Sequence, residues 1–294
     1  MIDLSDTLIL IKSAGDLATG VALRLHRSGF PLVMTELPHP LMVRRTVSFG
    51  EAVNLERIQL EGVTAVCVPD AESAQALAGQ PAADRPIPIL VDPEAHCREM
   101  LRPTVVVDAI MAKRNQGTAI TDAPLVVALG PGFTAGSDCH VVIETNRGNS
   151  LGRLIYQGSA EPDTGVPGNV GGKTIERLLR SPADGVIENL VEIGERVTQG
   201  QVVARVGHYE VRSEVDGVLR GLIRSGMWVS ADLKIGDVDP RAESAHCFLV
   251  SDKSLAIGGG VLEAVMAFLT RKSSGINIQA PVNRSSEIGH EMKN

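Results

Sequence analysis

The sequence predicts an α/β Rossmann-like parallel-sheet domain followed by a small all-β domain made by duplication. Three observations carry this. Short apolar runs alternate with stretches of helical spacing through residues 1–110, the pattern of strands buried on both faces and joined by crossover helices. A glycine-rich turn follows the first apolar run, and residues 181–240 contain an internal repeat.

Residues 7–12 form the first strand, and Ser13-Ala-Gly-Asp-Leu-Ala-Thr-Gly20 leads into helical spacing at Val21, Ala22, Leu23 and Leu25. Gly29 ends that helix, and residues 30–36 form the second strand. Residues 63–68, 87–92 and 105–110 read as further strands, with helices over 71–78 and 94–101. In such a sheet the first turn is the natural phosphate site, because unpaired helix N-terminal amides lie at the positive end of the helix dipole. Gly15, Asp16 and Gly20 stand there, and Glu36 ends the second strand where a ribose-binding acid is expected. The dinucleotide fingerprint is matched in part: Ser13 takes its first position and the third glycine is displaced to Gly20. A tight turn capped by Asp16 or Thr19 would use the same residues without a ligand.

Residues 111–180 read as a glycine-rich β extension. Asp108, Lys113 and Arg114 gather at the carboxyl end of a predicted strand, where open α/β sheets collect ligands. Strand-like runs at 124–130 and 140–145 flank Gly130-Pro-Gly-Phe-Thr-Ala-Gly136. Gly132 and Gly136 permit positive φ and close backbone approach to an anion, and equally suit a wide hairpin loop. Glu144, Asn146 and Arg147 bring a carboxylate, an amide and a guanidinium to the next strand end. Cys139 stands beside His140, and the adjacency recurs at His96-Cys97 and His246-Cys247. Three converging pairs would make a metal site, whereas core packing is the ordinary use of buried cysteine.

The repeat places Ser181-Pro-Ala-Asp-Gly-Val-Ile-Glu-Asn-Leu190 on Ser213-Glu-Val-Asp-Gly-Val-Leu-Arg-Gly-Leu222. Asp-Gly turns and alternating strands over 181–240 resemble the biotinyl or lipoyl carrier fold, a barrel-sandwich hybrid. Carriers present a modified lysine between their halves, but residues 205–216 hold none. The module is therefore expected to be a scaffold or docking surface. Residues 241–271 supply a strand and a closing helix from Ile257, and 272–294 read as a mobile polar tail.

A net charge of −7 and 3% aromatic residues exclude a nucleic-acid binder. No run approaches the roughly 18–20 apolar residues of a membrane span, and the opening residues lack the basic region of a secretory signal. Four cysteines far apart in sequence fit free thiols. A cytoplasmic protein is expected, and a homo-oligomer is allowed.

Several long motifs resemble one family: Ala14-Gly-Asp-Leu-Ala-Thr-Gly20, Asp108-Ala-Ile-Met-Ala-Lys-Arg-Asn115, Leu129-Gly-Pro-Gly-Phe-Thr-Ala-Gly136, Val142-Ile-Glu-Thr-Asn-Arg-Gly148 and Ile257-Gly-Gly-Gly-Val-Leu-Glu263. It is the YqeB-type accessory, or maturation, proteins of selenium-dependent molybdenum hydroxylases. Ser13 departs from the family's usual glycine, and Asn149 from its usual histidine. The resemblance implies a maturation factor that docks a molybdenum hydroxylase client. Combined with the first turn, it suggests a nucleotide-type ligand such as a molybdopterin dinucleotide: Gly15, Asp16 and Gly20 at phosphate, Glu36 at ribose, and Lys113, Arg114 and Arg147 at further anionic groups. Cys139 would then deliver sulfur or selenium as a thiolate. Two alternatives remain: an NAD-dependent oxidoreductase, with Glu36 on the 2′-hydroxyl, and a non-catalytic adaptor.

Overall fold

A computed structural model of the protein describes residues 4–82, 85–165 and 168–273. The amino-terminal lobe is built on one nine-stranded sheet. Its strands are β1 (Ile9–Lys12), β2 (Leu32–Glu36), β3 (Arg57–Leu60), β4 (Val63–Val68), β5 (Ile87–Val91), β6 (Val105–Asp108), β7 (Leu125–Leu129), β8 (Val141–Ile143) and β9 (Leu154–Ile155). They lie in the order β3-β4-β5-β2-β1-β6-β7-β8-β9. Seven of them, β4 to β8 across that order, run parallel, while β3 and β9 pair antiparallel at the two edges. β1, β2, β6, β7 and β8 are buried along their whole length, each Val, Leu or Ile side chain contributing about 1.5–3 kcal/mol of transfer free energy.

On one face lie α1 (Asp16–Arg27) and, from the end of the described chain, α5 (Asp252–Ser273). α3 (Ala71–Ala78) packs on the other, with the single-turn helices α2 (Ala52–Leu55) and α4 (Arg98–Leu101) in the connections. α1 carries Asp16 in its first turn and Arg24, His26 and Arg27 in its last, matching the helix dipole. It stops where Gly29 takes φ +94° and the Phe30 N–H bonds back to the Leu25 carbonyl. α5 is long and apolar enough by length and composition to cross a bilayer, but half of that window is buried against this chain.

The second lobe consists of two four-stranded antiparallel sheets around one core. β10 (Leu178–Arg180), β12 (Arg196–Val197), β15 (Gly217–Leu222) and β17 (Lys234–Asp239) form one; β11 (Gly185–Asn189), β13 (Val202–Val206), β14 (Tyr209–Arg212) and β16 (Trp228–Val229) form the other. The repeat is visible here, since β11, β12 and β13 correspond to β15, β16 and β17. β12 pairs with β15 and β16 with β11, so each unit's short strand joins the other unit's sheet.

The predicted pairing of a Rossmann-like parallel sheet with a barrel-sandwich hybrid is not the architecture found. The sheet is mixed, and it continues past residue 110 through β7, β8 and β9. The second lobe is two separate antiparallel sheets that also recruit β10, which precedes the repeat. Edge strands of reversed direction and a strand from outside the repeat leave no local trace in hydrophobic periodicity.

Candidate functional site

Beyond the carboxyl ends of the parallel strands, residues 43–51 join the two lobes: Arg45 donates to the Leu222 carbonyl at 3.3 Å and Arg224 pairs with Glu51. At the first turn Ser13 has φ +87°, a left-handed conformation rare for a residue with a side chain. Glu36 closes this turn from inside: its Oε2 accepts from the Ala14 N–H and its Oε1 from the Leu37 N–H, both at 2.8 Å. Burial pushes its carboxyl up, and the Leu37 and Ala14 amides hold it down. Residues 42–51 then fold over the turn. The Gly50 N–H donates to the Ala14 carbonyl at 2.8 Å, the Phe49 N–H to Thr19 Oγ1 at 2.9 Å, and a β-carbon on Gly50 would lie 2.7 Å from Met42 Sδ. Glu36 is therefore spent on the turn itself, away from a ribose. Gly20 lies at a helix contact, where a β-carbon would come within 2.5 Å of Ser254.

Asp108 is also engaged internally. Its Oδ2 accepts from Thr118 Oγ1 at 2.6 Å, its Oδ1 from the Ile110 N–H at 3.1 Å, and Lys12 Nζ, donating to Thr118 Oγ1 at 2.6 Å, lies 3.8 Å away. Lys12 and Asp108 are both buried and directly paired in register on β1 and β6. The sequence reading gave Lys12 no role. Next to this network Met111 and Lys113 take φ +61° and +62°, and Gly132 packs so tightly that a β-carbon would meet the Arg114 amide nitrogen at 2.6 Å. Gly132 thus serves loop packing, and Gly136 a turn in which its N–H bonds to the Cys139 carbonyl. Arg114 is exposed, and Lys113 reaches Asp163 at 2.5 Å.

Glu144 accepts from the Asn146 and Glu161 amides at 2.7 and 2.8 Å and fixes the loop that aims Arg147. Arg147 grips Asp252 at the start of α5 through two 2.9 Å bonds, and this fork holds the Asp252 carboxyl well below the usual range. Lys253 follows. Burial pushes its ammonium down, Arg147 pushes it further, and Asp16 and Glu144 oppose them. Among the described residues the Lys253 ammonium has no hydrogen bond or ion pair.

The second lobe adds more cations. Asp239 is held bidentately by Arg241 at 2.9 and 2.6 Å, leaving Arg220 with its Nε 3.9 Å from the same carboxylate and without a hydrogen bond. Arg44, buried, donates through Nη2 to the His246 and Leu249 carbonyls at 3.1 Å, and its Nε has no partner. Burial and then the charge of Arg220 push its guanidinium down. Arg44 Nη1 lies 3.9 Å from Asp16, the first residue of α1. The structure therefore brings Asp16, Glu144, Asn146 and Arg147 together with Arg44, Arg220 and Lys253, which the sequence reading missed. Arg44 and Arg220 lie in segments with no chemical signature of their own, and Lys253 stands one residue into α5.

Cys139 is fully buried, and burial and Asp138 push its thiol up to about 12. It is kept neutral in the core, and the sulfur-carrying role gains no support from its placement. The three Cys–His pairs form no metal cluster among the described residues.

No family model matches the chain. It is 47% identical over 262 residues to "Uncharacterized protein YqeB" of Escherichia coli (strain K12), covering 89% of this chain and 48% of that protein. The chain thus spans about half the length of the curated relative it matches. That description names no activity or client, so the molybdenum and selenium association read from resemblance is withdrawn. Among solved structures, an aspartoacylase family protein of Mesorhizobium loti overlaps at TM-score 0.25 with 14% identity, over 79% of this chain and 84% of that one. The ectoine utilization protein EutE (DoeB) of Ruegeria pomeroyi overlaps at TM-score 0.22 with 13% identity, over 74% and 61%. Overlaps this slight assign no activity here.

Proposed function

The chain is a homologue of YqeB across most of its own length, and from that premise we propose that it is an accessory protein that captures a phosphate-bearing, nucleotide-type ligand at the junction of its lobes and offers its second lobe to a client enzyme. The observation that carries the reading is the charge at the lobe junction. A chain of net charge −7 gathers Lys253, Arg220 and Arg44 there without a full complement of partners. Cations held apart at a low-dielectric junction are costly unless an anion completes them, and a phosphoryl group offers several acceptors to forked guanidinium donors at once. The first turn is roofed by residues 42–51, so the ligand's phosphates are placed against Lys253 and Arg220 rather than at Gly15.

Client docking is supported by the outer face of the second lobe, where Trp228 and Val186 are cross-strand partners on β16 and β11 and both are exposed, with Tyr209 exposed on the same sheet. Aromatic side chains of this kind are favoured anchors in protein interfaces.

Calorimetric titration of the full chain with pyrophosphate, ADP, CDP and NAD tests the ligand. Binding of at least one, weakened about tenfold or more (about 1.4 kcal/mol) by Lys253→Gln or Arg220→Gln, is expected. Folded protein that binds none of them at millimolar concentration would refute it.

A further inference from the structure

A pocket of about 210 Å³ opens at the opposite, amino edge of the sheet. Leu125 and Val141, the first residues of β7 and β8, form its floor, and Phe268 of α5 forms a wall. The lobe-junction reading does not use it. An engineered cavity of about 150 Å³ with a comparable lining takes up benzene, so a six-membered ring with one further group fits this volume.

Three polar side chains at the pocket, His140, Tyr156 and Arg271, can each donate a hydrogen bond into it. His140 accepts the Val126 N–H on Nδ1 at 2.9 Å, which places the ring proton on Nε2 and makes that nitrogen a donor. Burial pushes the imidazole down, toward the neutral form. Tyr156 and Arg271 also line the pocket, and among the described residues neither has a hydrogen-bond or ion-pair partner. They are neighbours: burial pushes the Tyr156 hydroxyl up, and the charge of Arg271 opposes it. Glu263, which also acts on Tyr156, is not in the lining, and among the described residues no carboxylate lines the pocket. Among those residues, three donors beside an apolar floor have no acceptor-only group facing them.

We propose that this pocket binds a small apolar carboxylic acid, with its hydrocarbon body on Leu125, Val141 and Phe268 and its carboxylate at Arg271, Tyr156 and His140. A carboxylate meets a guanidinium through two parallel bonds and accepts from a phenol and an imidazole on its remaining lone pairs. The body supplies the apolar burial that acetate lacks.

The test uses the full chain with benzoate, benzyl alcohol and acetate, read by calorimetry and ligand-observed NMR. Benzoate binds, benzyl alcohol binds at least tenfold more weakly, and acetate shows no measurable binding. Arg271→Gln and Tyr156→Phe each weaken benzoate about tenfold and leave benzyl alcohol unchanged. Ala264→Trp, which fills the pocket, abolishes benzoate binding in a chain whose circular dichroism is native. Lys253→Gln leaves benzoate binding intact and pyrophosphate does not compete with it, so this site and the lobe-junction site stand or fall separately. Absence of benzoate binding, equal affinity for benzyl alcohol, an unaffected Arg271→Gln variant, or competition by pyrophosphate would each overturn the proposal.

Discussion

Gly20 on α1 lies against Ser254 on α5 so closely that a β-carbon at position 20 would fall 2.5 Å from the Ser254 backbone. The contact is reciprocal one turn along, where a β-carbon on Gly258 would lie 2.6 Å from the Gly20 carbonyl oxygen. Gly20→Ala therefore forces the helices apart, and a loss of about 1–3 kcal/mol is expected in urea unfolding. Gly259→Ala, which meets nothing within 4 Å, should gain stability through helix propensity, by up to about 1 kcal/mol.

Thr118 links Lys12 to Asp108 through two 2.6 Å bonds. Thr118→Val removes the link but leaves both charges buried, so a loss of about 1–3 kcal/mol is expected. Lys12→Met leaves Asp108 unpaired and should cost more, about 3–5 kcal/mol, while the pair Lys12→Met with Asp108→Leu recovers part of that loss. A double-mutant cycle by denaturant unfolding measures the coupling.

Two charged groups at the start of α5 give a pH signature. Lys253 has a depressed value in the folded chain, so the unfolded chain binds its proton more tightly and stability rises with pH between the folded value and the ordinary lysine value. Lys253→Gln should flatten that alkaline rise. Asp252 has the same sign in the acid range: its value is held down by the Arg147 fork, so its contribution is present above the ordinary aspartate value and is lost as pH falls toward the folded one. Asp252→Asn should flatten the acid limb of a thermal-melt profile.

Burial pushes the thiols of Cys139 and Cys97 up to about 12. Alkylation of native protein at pH 8, read by mass spectrometry, should leave Cys139 unmodified until the chain is unfolded. Rapid labelling of Cys139 in the native state would restore it as a nucleophile.

Trp228 is the sole tryptophan and is 65% exposed. Its fluorescence should be quenched by acrylamide nearly as well as that of free tryptophan, and Trp228→Ala should change stability by no more than about 0.5 kcal/mol. If the second lobe docks a client as proposed, adding that client should reduce the quenching.

Local chemistry was legible where it is encoded locally. The run at 7–12, the turn at Gly15 and the stop at Gly29 correspond to β1, the N-cap of α1 and its termination. Glu36 was correctly placed at the end of β2, but its partners depend on residues 42–51 folding back, which no spacing rule encodes. α5 starts at Asp252, five residues before the predicted Ile257, because three consecutive glycines argue against helix. The structure overrides that propensity: Ser251 Oγ accepts the Ser254 N–H, and Gly258 and Gly260 fit against the Gly20 and Gly152 carbonyls. Lys253, Arg44 and Arg220 meet only through tertiary packing, so their shared charge was invisible along the chain.

The exchange of short strands between the two repeat units makes the second lobe a swapped dimer written into a single polypeptide. β12 is held by β15, and β16 by β11, so neither unit can complete its pairing until the other has been synthesised. A fragment ending between residues 212 and 217 would carry two unfilled strand positions, and a second copy of the same fragment is the simplest thing to fill them. Symmetric self-association of such a half-lobe would rebuild both sheets from two identical pieces.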